Sequence, residues 1–295
     1  MLEFKTPLLS DKIWVDGCLK KSGNFSCAYS FGNLFVWEPV YRTRILKLDG
    51  FYCAKYYSRN TGYIFPRGEG DLKSVIDKLI EDASDCGHEF RLYELTEADR
   101  QELEKIYPGR FRFEQNRDDF DYIYLTDNLI SLSGKKYHAK RNHISYFKNN
   151  NNWSFEAITE DNLQECFEMN EKWLEENLEK DSEGILKESR AVKTALGNYK
   201  ELGFVGGLLR AEGEVVAFTI GEELNDEIFC THFEKAFASV RGAYPTINRE
   251  FAANMLTSYK YINREEDAGD EGLRKAKLSY RPEILLEKSE AVLIG

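Results

Sequence analysis

Residues 204–236, FVGGLLRAEGEVVAFTIGEELNDEIFCTHFEKA, hold three strand-like apolar runs parted at Glu212-Gly213 and Asn225-Asp226. Short polar turn pairs between such runs specify three antiparallel strands. Ahead of this meander, WSFEAIT reads as a strand and TEDNLQECFEMNEKWLEENLEK as a helix capped at Thr159. GILKESRAVKTALGNYKELG reads as a helix ended by Gly203. After it follow a helix over 244–258, a strand over 259–263, a helix over 271–280 and a final strand over 283–294.

The first part of the chain uses the same grammar. DKIWVDGCLKK is a short helix, and the alternating stretch 41–66 turns at Asp49-Gly50, a hairpin signal. In DLKSVIDKLIEDASDCG the residues Leu72, Val75, Ile76, Leu79 and Ile80 fall at helical spacing, closed by Gly87. RLYEL is a strand, TEADRQELEKIYPG opens on a Thr-x-x-Asp capping pattern, and FRFEQNRDDFDYIYLT supplies one or two more strands. Two similar α+β halves follow from this order, with the polar run 149–152 as a loop between them. A length of 295 residues also suits two domains better than one.

Composition narrows the function. Apolar residues at 42% are ample for folded cores, and no apolar run approaches the ~20 residues of a membrane helix. The N-terminus lacks the basic start and long apolar middle of a secretory signal, so a cytoplasmic location is expected. A net charge of -11 argues against broad, sequence-independent binding to duplex DNA. The six cysteines form no CxxC pair, so reduced, buried thiols are expected rather than a zinc site.

Against that acidic background, 136–147 reads KYHAKRNHISYF. On a helix, Ile130, Tyr137, Ile144 and Phe147 share one broad face, and Lys140 and Arg141 lie inside it. Cations on an apolar stripe must meet an anion, snorkel out, or bear a large desolvation cost. They either bridge to carboxylates of the other half or line a pocket for a phosphate or carboxylate. His138 and His143 fall on different faces and share no metal. Ser133-Gly134-Lys135-Lys136 lacks the earlier glycine and the final Ser/Thr of a phosphate-binding loop.

A second constellation spans 241–283. Arg241-Gly242-Ala243-Tyr244-Pro245-Thr246 is a small-residue turn opening a helix, where exposed N–H groups and Arg241 suit an anion. Asn263-Arg264-Glu265-Glu266-Asp267 leaves a strand. Arg274, Lys275, Lys277 and Arg281 then crowd a short helix whose apolar side is Leu273, Ala276 and Tyr280. Lys277 points toward that apolar side. The bland alternative is an acidic loop and a basic helix neutralising each other in solvent. The acidic spacing does not match a calcium loop.

The segments YIYLTDNLISLSGKKYHAKRNHISYF, THFEKAFASVRGAYPTINREFA and INREEDAGDEGLRKAKLSYRPE together resemble an uncharacterised bacterial family. That family is similar to the cytosolic C-terminal domain of phosphatidylglycerol lysyltransferase, and the resemblance spans essentially the whole chain. It implies an α+β fold of two tandem acyl-CoA N-acyltransferase (GNAT)-like domains, as in Fem-type transferases. Each would be a mixed, mostly antiparallel sheet flanked by helices. We set them at 1–134 and 135–295, the second carrying the site. The lysyltransferase also carries many spanning helices, absent here, which weakens the expectation of a lipid acceptor.

The resemblance further implies transfer of an aminoacyl group from aminoacyl-tRNA to an amine or hydroxyl acceptor. Such a transfer must position two substrates, deprotonate the acceptor and stabilise an oxyanion. Lys140, Arg141, Lys275 and Lys277 are candidates for holding the phosphates of the RNA end or the oxyanion. Glu265, Glu266 or Asp267 would hold a donor ammonium or act as base. His232 and Glu234 are rival bases, and Tyr280 would protonate a leaving oxygen. His138, Asn142, Arg241, Gly242, Tyr244, Asn263 and Arg264 complete the candidate substrate contacts. No metal or permanently bound cofactor is expected. The co-substrate is aminoacyl-tRNA or acyl-CoA, and the partners are the tRNA acceptor end and a small-molecule, peptide or lipid-headgroup acceptor. Two alternatives stand beside this reading. One is an acyl-CoA-dependent N-acyltransferase with its pyrophosphate at 241–246, although the Q/RxxGxG/A pattern is lacking. The other is a non-catalytic module that binds an anion or RNA.

Overall fold

The structure, a computed structural model, describes residues 1–57, 60–177 and 182–294. The chain forms two compact units. The first comprises Met1–Asp121, Glu266–Glu271 and Leu285–Gly295, and the second Tyr122–Glu265 and Gly272–Ile284. They do not run end to end along the sequence: the chain returns to the first unit twice.

The first unit opens with α1 (Lys12–Leu19), α2 (Phe31–Tyr41), β1 (Arg44–Leu48), β2 (Phe51–Tyr56), β3 (Gly62–Ile64) and β4 (Arg67–Gly68). It continues through α3 (Leu72–Asp85), β5 (Arg91–Leu95), α4 (Glu97–Ile106) and β6 (Phe111–Gln115). Then come β7 (Asp121–Leu125), α5 (Thr126–Ser131), α6 (His138–Asn150), β8 (Trp153–Ala157), α7 (Leu163–Asn177), α8 (Ser182–Gly197) and α9 (Tyr199–Leu202). The meander is β9 (Val205–Ala211), β10 (Glu214–Asn225) and β11 (Ile228–Ala236). It leads to α10 (Ala243–Met255), β12 (Tyr261–Asn263), α11 (Glu271–Leu278), β13 (Ile284–Leu286) and finally β14 (Ser289–Leu293).

The first sheet runs β1-β2-β3-β5-β14-β6, with β4 beside β2. β3 and β5 pair parallel, and the other neighbours among the described residues pair antiparallel. The β1–β2 hairpin turns at Asp49 (φ 49) and Gly50 (φ 89), the doubly left-handed turn that an Asp-Gly pair favours. On α3, Val75, Ile76, Leu79 and Ala83 are buried at helical spacing against Phe65, Leu92 and Ala291, and Asp71 caps its start. Each fully buried Val, Ile or Leu side chain there contributes about 1.5–3 kcal/mol.

The second sheet runs β13-β7-β12-β11-β10-β9-β8. The meander is antiparallel as read from sequence, and β11 pairs parallel to β12. Helix α10 covers β9 and β10, with Phe147, Leu209, Ala217, Ala243 and Ile247 in one core.

Several elements differ from the sequence reading. The single strand expected over 283–294 is two strands in different sheets. β13 ends the second sheet, whereas β14 lies between β5 and β6 in the first. The break at Glu287-Lys288 turns Lys288 inward, 2.9 Å from Asp121 and 3.1 Å from Glu94. The run 149–152 is no link between halves: α6 extends to Asn150, and the Asn150 and Asn151 amides bond back to Tyr146 O and Phe147 O. Helix α7 starts at Leu163, where Asn162 rather than Thr159 folds its side chain onto the chain end. Helix α2 has no counterpart in the sequence reading; it is apolar on most sides and carries Pro39.

Candidate active site

The middle of β11 carries Cys230, His232 and Glu234. The β10–β11 register slips between Ile220 and Gly221, leaving His232 without a partner residue across the ladder. A bulge of this kind re-aims a side chain. Gly221 permits it, because a Cβ there would stand 1.9 Å from Cys230 O. His232 Nδ1 lies 2.7 Å from Glu265 Oε1 and its Nε2 lies 3.0 Å from Glu222 Oε1. Cys230 Sγ is 3.7 Å from Nδ1. Burial by itself would lower the imidazole pKa, but Cys230, Glu222 and Glu265 outweigh it and hold the pKa well above the ordinary range. An imidazole that keeps its proton is a poor base.

Glu265 reaches this group from a left-handed backbone conformation (φ 58). Such strain persists only where surroundings enforce it. Here Asn263 Oδ1 accepts from Glu265 N at 2.6 Å, and Lys277 Nζ donates to Arg264 O at 2.5 Å and Glu265 O at 3.2 Å. Lys277 is thus a buried clamp on the loop.

The neighbouring residues Glu234 and Arg264 build a second group. Arg264 Nη2 donates to Glu234 Oε1 at 2.8 Å, and Asn248 Nδ2 donates to Glu234 Oε2 at 3.1 Å. The guanidinium lies over Tyr280 (5.0 Å to the ring centroid) and Tyr124 (5.7 Å). Lys140 Nζ sits over the same Tyr280 ring at 3.9 Å. Among the described residues, the buried Arg264 Nη1 has no hydrogen-bond partner. Burial disfavours the guanidinium charge, yet Glu234 more than offsets it and raises the Arg264 pKa. Lys140 has no ion pair among the described residues: burial first, then Arg264, outweigh the pull of Glu234 and push its ammonium down to about 8. Burial likewise pushes the Tyr280 phenol up, so it stays protonated.

The remaining candidates are placed elsewhere. Arg141 donates to Leu132 O and to Gly134 O, satisfying carbonyls past the end of α5. His138 and Asn142 are exposed and face each other at 3.1 Å. Arg241 stacks on Tyr146 at 4.1 Å, and Tyr244 and Lys275 are exposed. Gly242 (φ 89) has its Cα against α6, where a Cβ would lie 2.3 Å from His143 O. Glu266 and Asp267 belong to the first unit. Glu266 joins Cys27 (3.3 Å) at a cavity of about 390 Å³ lined also by Trp37, Tyr41, Tyr56, Glu94 and Lys288. Asp267 is fully buried, 3.5 Å from Arg117 and accepting from Gly269 N. Sequence reasoning missed Tyr124, Cys230 and Glu222 as partners of these groups. The spacing Cys230-x-His232 on one strand was the available signal.

The family described as phosphatidylglycerol lysyltransferase, C-terminal, matches residues 20–291. The chain belongs to this family. A crystal structure of a conserved protein of unknown function from Bacteroides thetaiotaomicron is 44% identical over 100% of both chains, with TM-score 0.95. L-PGS from Bacillus licheniformis is 16% identical, covering 99% of this chain and 94% of that one, with TM-score 0.68. FemX is 8% identical with TM-score 0.60, covering 98% and 97%. These last two show the fold: two GNAT-like domains in tandem, each a mixed sheet flanked by helices. An uncharacterised protein of Mycoplasmoides gallisepticum is 23% identical over 175 residues, 57% of this chain, and the match spans about half (54%) of that relative's length. In this member of the family, no helix among the described residues is long and apolar enough to cross a membrane.

Proposed function

We propose that this protein transfers an aminoacyl group from the ester of an aminoacyl-tRNA to an amine or hydroxyl acceptor, with Lys140, Arg264 and Tyr280 at the reacting centre. The observation that carries this reading is the buried Arg264 Nη1, a charged donor without a partner among the described residues, beside a lysine held near pKa 8. A preorganised donor of this kind stabilises an oxyanion, and a base titrating near working pH suits proton transfer.

The acceptor atom attacks the ester carbonyl, its new bond forms, and the carbonyl electrons move onto oxygen, which accepts a hydrogen bond from Arg264 Nη1. Neutral Lys140 takes the acceptor's proton and returns it to the ribose oxygen as the ester bond breaks. Glu234 keeps the guanidinium aimed, and Lys140 and Arg264 both stand beside the Tyr280 ring. The helix start at 241–246 offers little to a coenzyme A pyrophosphate. Ala243 N already donates to Val240 O and Thr246 N to Gly242 O, which favours the ester donor.

The test supplies purified protein with tRNA charged with labelled amino acids or with labelled acetyl-CoA. Amines, peptides and phosphatidylglycerol vesicles serve as acceptors. Label passing from the tRNA supports the reading, and label passing from acetyl-CoA alone replaces it with an acyl-CoA enzyme. No enzyme-dependent transfer from either donor removes both.

A further inference from the structure

The Cys230–His232–Glu265 group does no work in the transfer chemistry above, yet three different donor atoms converge there inside the second unit. Cys230 Sγ, His232 Nδ1 and Glu265 Oε1 stand 3.7, 2.7 and 3.9 Å apart pairwise. We propose that these three side chains bind one divalent transition-metal ion, with zinc the best match to a thiolate, imidazole and carboxylate set.

Ordinary zinc bond lengths at tetrahedral angles place sulfur, nitrogen and oxygen donors about 3.4–3.6 Å from one another. Two sides of the observed triangle are already close to this. The third, between Nδ1 and Oε1, opens by about 0.7 Å once an ion replaces the proton they share. The far nitrogen supports the same reading: Nε2 is tied to buried Glu222 at 3.0 Å. A carboxylate behind a ligating histidine fixes ring orientation and raises ligand basicity. The bulge that frees His232 from the ladder, and the left-handed backbone at Glu265, are the two local distortions that bring the donors together.

A divalent ion is bound by the thiolate of Cys230, the neutral imidazole of His232 and the carboxylate of Glu265, so loading displaces whatever protons these donors carry and affinity falls at low pH. Three protein ligands leave a fourth position for water or another small donor. The spacing rules for paired cysteines miss such a site, because its ligands are one Cys-x-His on a strand and a glutamate 33 residues beyond the histidine.

The experiment measures metal in the full-length protein, as purified from zinc-supplemented culture and after titration with Co²⁺. About one ion per chain is expected, with a near-ultraviolet sulfur-to-cobalt charge-transfer band. Cys230→Ser should lose that band by at least about tenfold, whereas Cys86→Ser, at an exposed thiol, should keep it. The wild-type protein needs no substitution to decide the matter. Less than about a tenth of an equivalent of zinc or cobalt, or a band that survives in Cys230→Ser, overturns the proposal.

Discussion

Lys140 Nζ stands 3.9 Å above the Tyr280 ring, and the Arg264 guanidinium shares that ring at 5.0 Å. Two cations beside one ring repel each other, and among the described residues the carboxylate bonded there, Glu234, is bonded to Arg264. Lys140 is consequently the group whose charge is least supported.

That has a consequence for stability. The folded pKa of Lys140, about 8, lies below its ordinary 10.5. Between those values the unfolded chain binds more protons than the folded one, so this lysine makes stability rise with pH across the window. Replacing it by methionine keeps the apolar stem and removes the unsupported charge. Lys140→Met should raise Tm at pH 7 by about 1–3 °C, with the gain fading towards pH 10. Calorimetry at both values checks it, and a fall in Tm at pH 7 would contradict the burial argument.

Arg264→Gln removes the donor proposed for the oxyanion. Transfer should fall by about 10²–10³ in rate, the loss expected for one such donor. Glu234→Gln should cost less, because the guanidinium stays and loses only its anchor. Equal losses in both variants would assign Arg264 a positioning role instead.

In the first unit, Asp82 accepts from Lys55 Nζ (2.8 Å), Tyr63 Oη (2.6 Å) and Leu2 N (2.6 Å). Burial opposes its ionisation, but these donors more than offset it and keep the carboxyl below its usual range. A depressed carboxyl contributes stability that is full above the unfolded value and is lost as pH falls through the folded one. Asp82→Ala strands a buried ammonium and should cost about 3–5 kcal/mol. Urea denaturation should show a lower midpoint with an unchanged slope.

Gly242→Ala places a Cβ 2.3 Å from His143 O at a left-handed φ of 89. The strain and the clash should destabilise the second unit by about 1–3 kcal/mol. Thermal unfolding measures this, and a neutral effect would mean that α10 moves away from α6 at little cost.

The elements that could be read in the sequence are those with local signals. Asp49-Gly50, the Thr96 capping box and the turn pairs of the 204–236 meander need no distant partner. Helix α2 escaped because its residues are apolar nearly all round, so no amphipathic period marks it. The division of 283–294 between two sheets escaped because β13 and β14 are alike as sequence, and only their partners differ. Within the site, the helical wheel brought Lys140 onto a buried face. It did not show that its partner is an aromatic ring, nor that Arg141 meets carbonyls instead of an anion. The tie between His232 and Glu222 depends on a bulge in ladder register, which is set by tertiary pairing.

The central claim, that Lys140 moves the proton during aminoacyl transfer, is tested most directly by single-turnover rates from about pH 6 to 10. Wild-type protein should accelerate with pH and level off above about 8, where the amine is neutral. Lys140→Met should give a flat profile at least about a hundredfold slower. A pH-independent wild-type rate, or a Lys140→Met protein that transfers at the wild-type rate, would contradict the account.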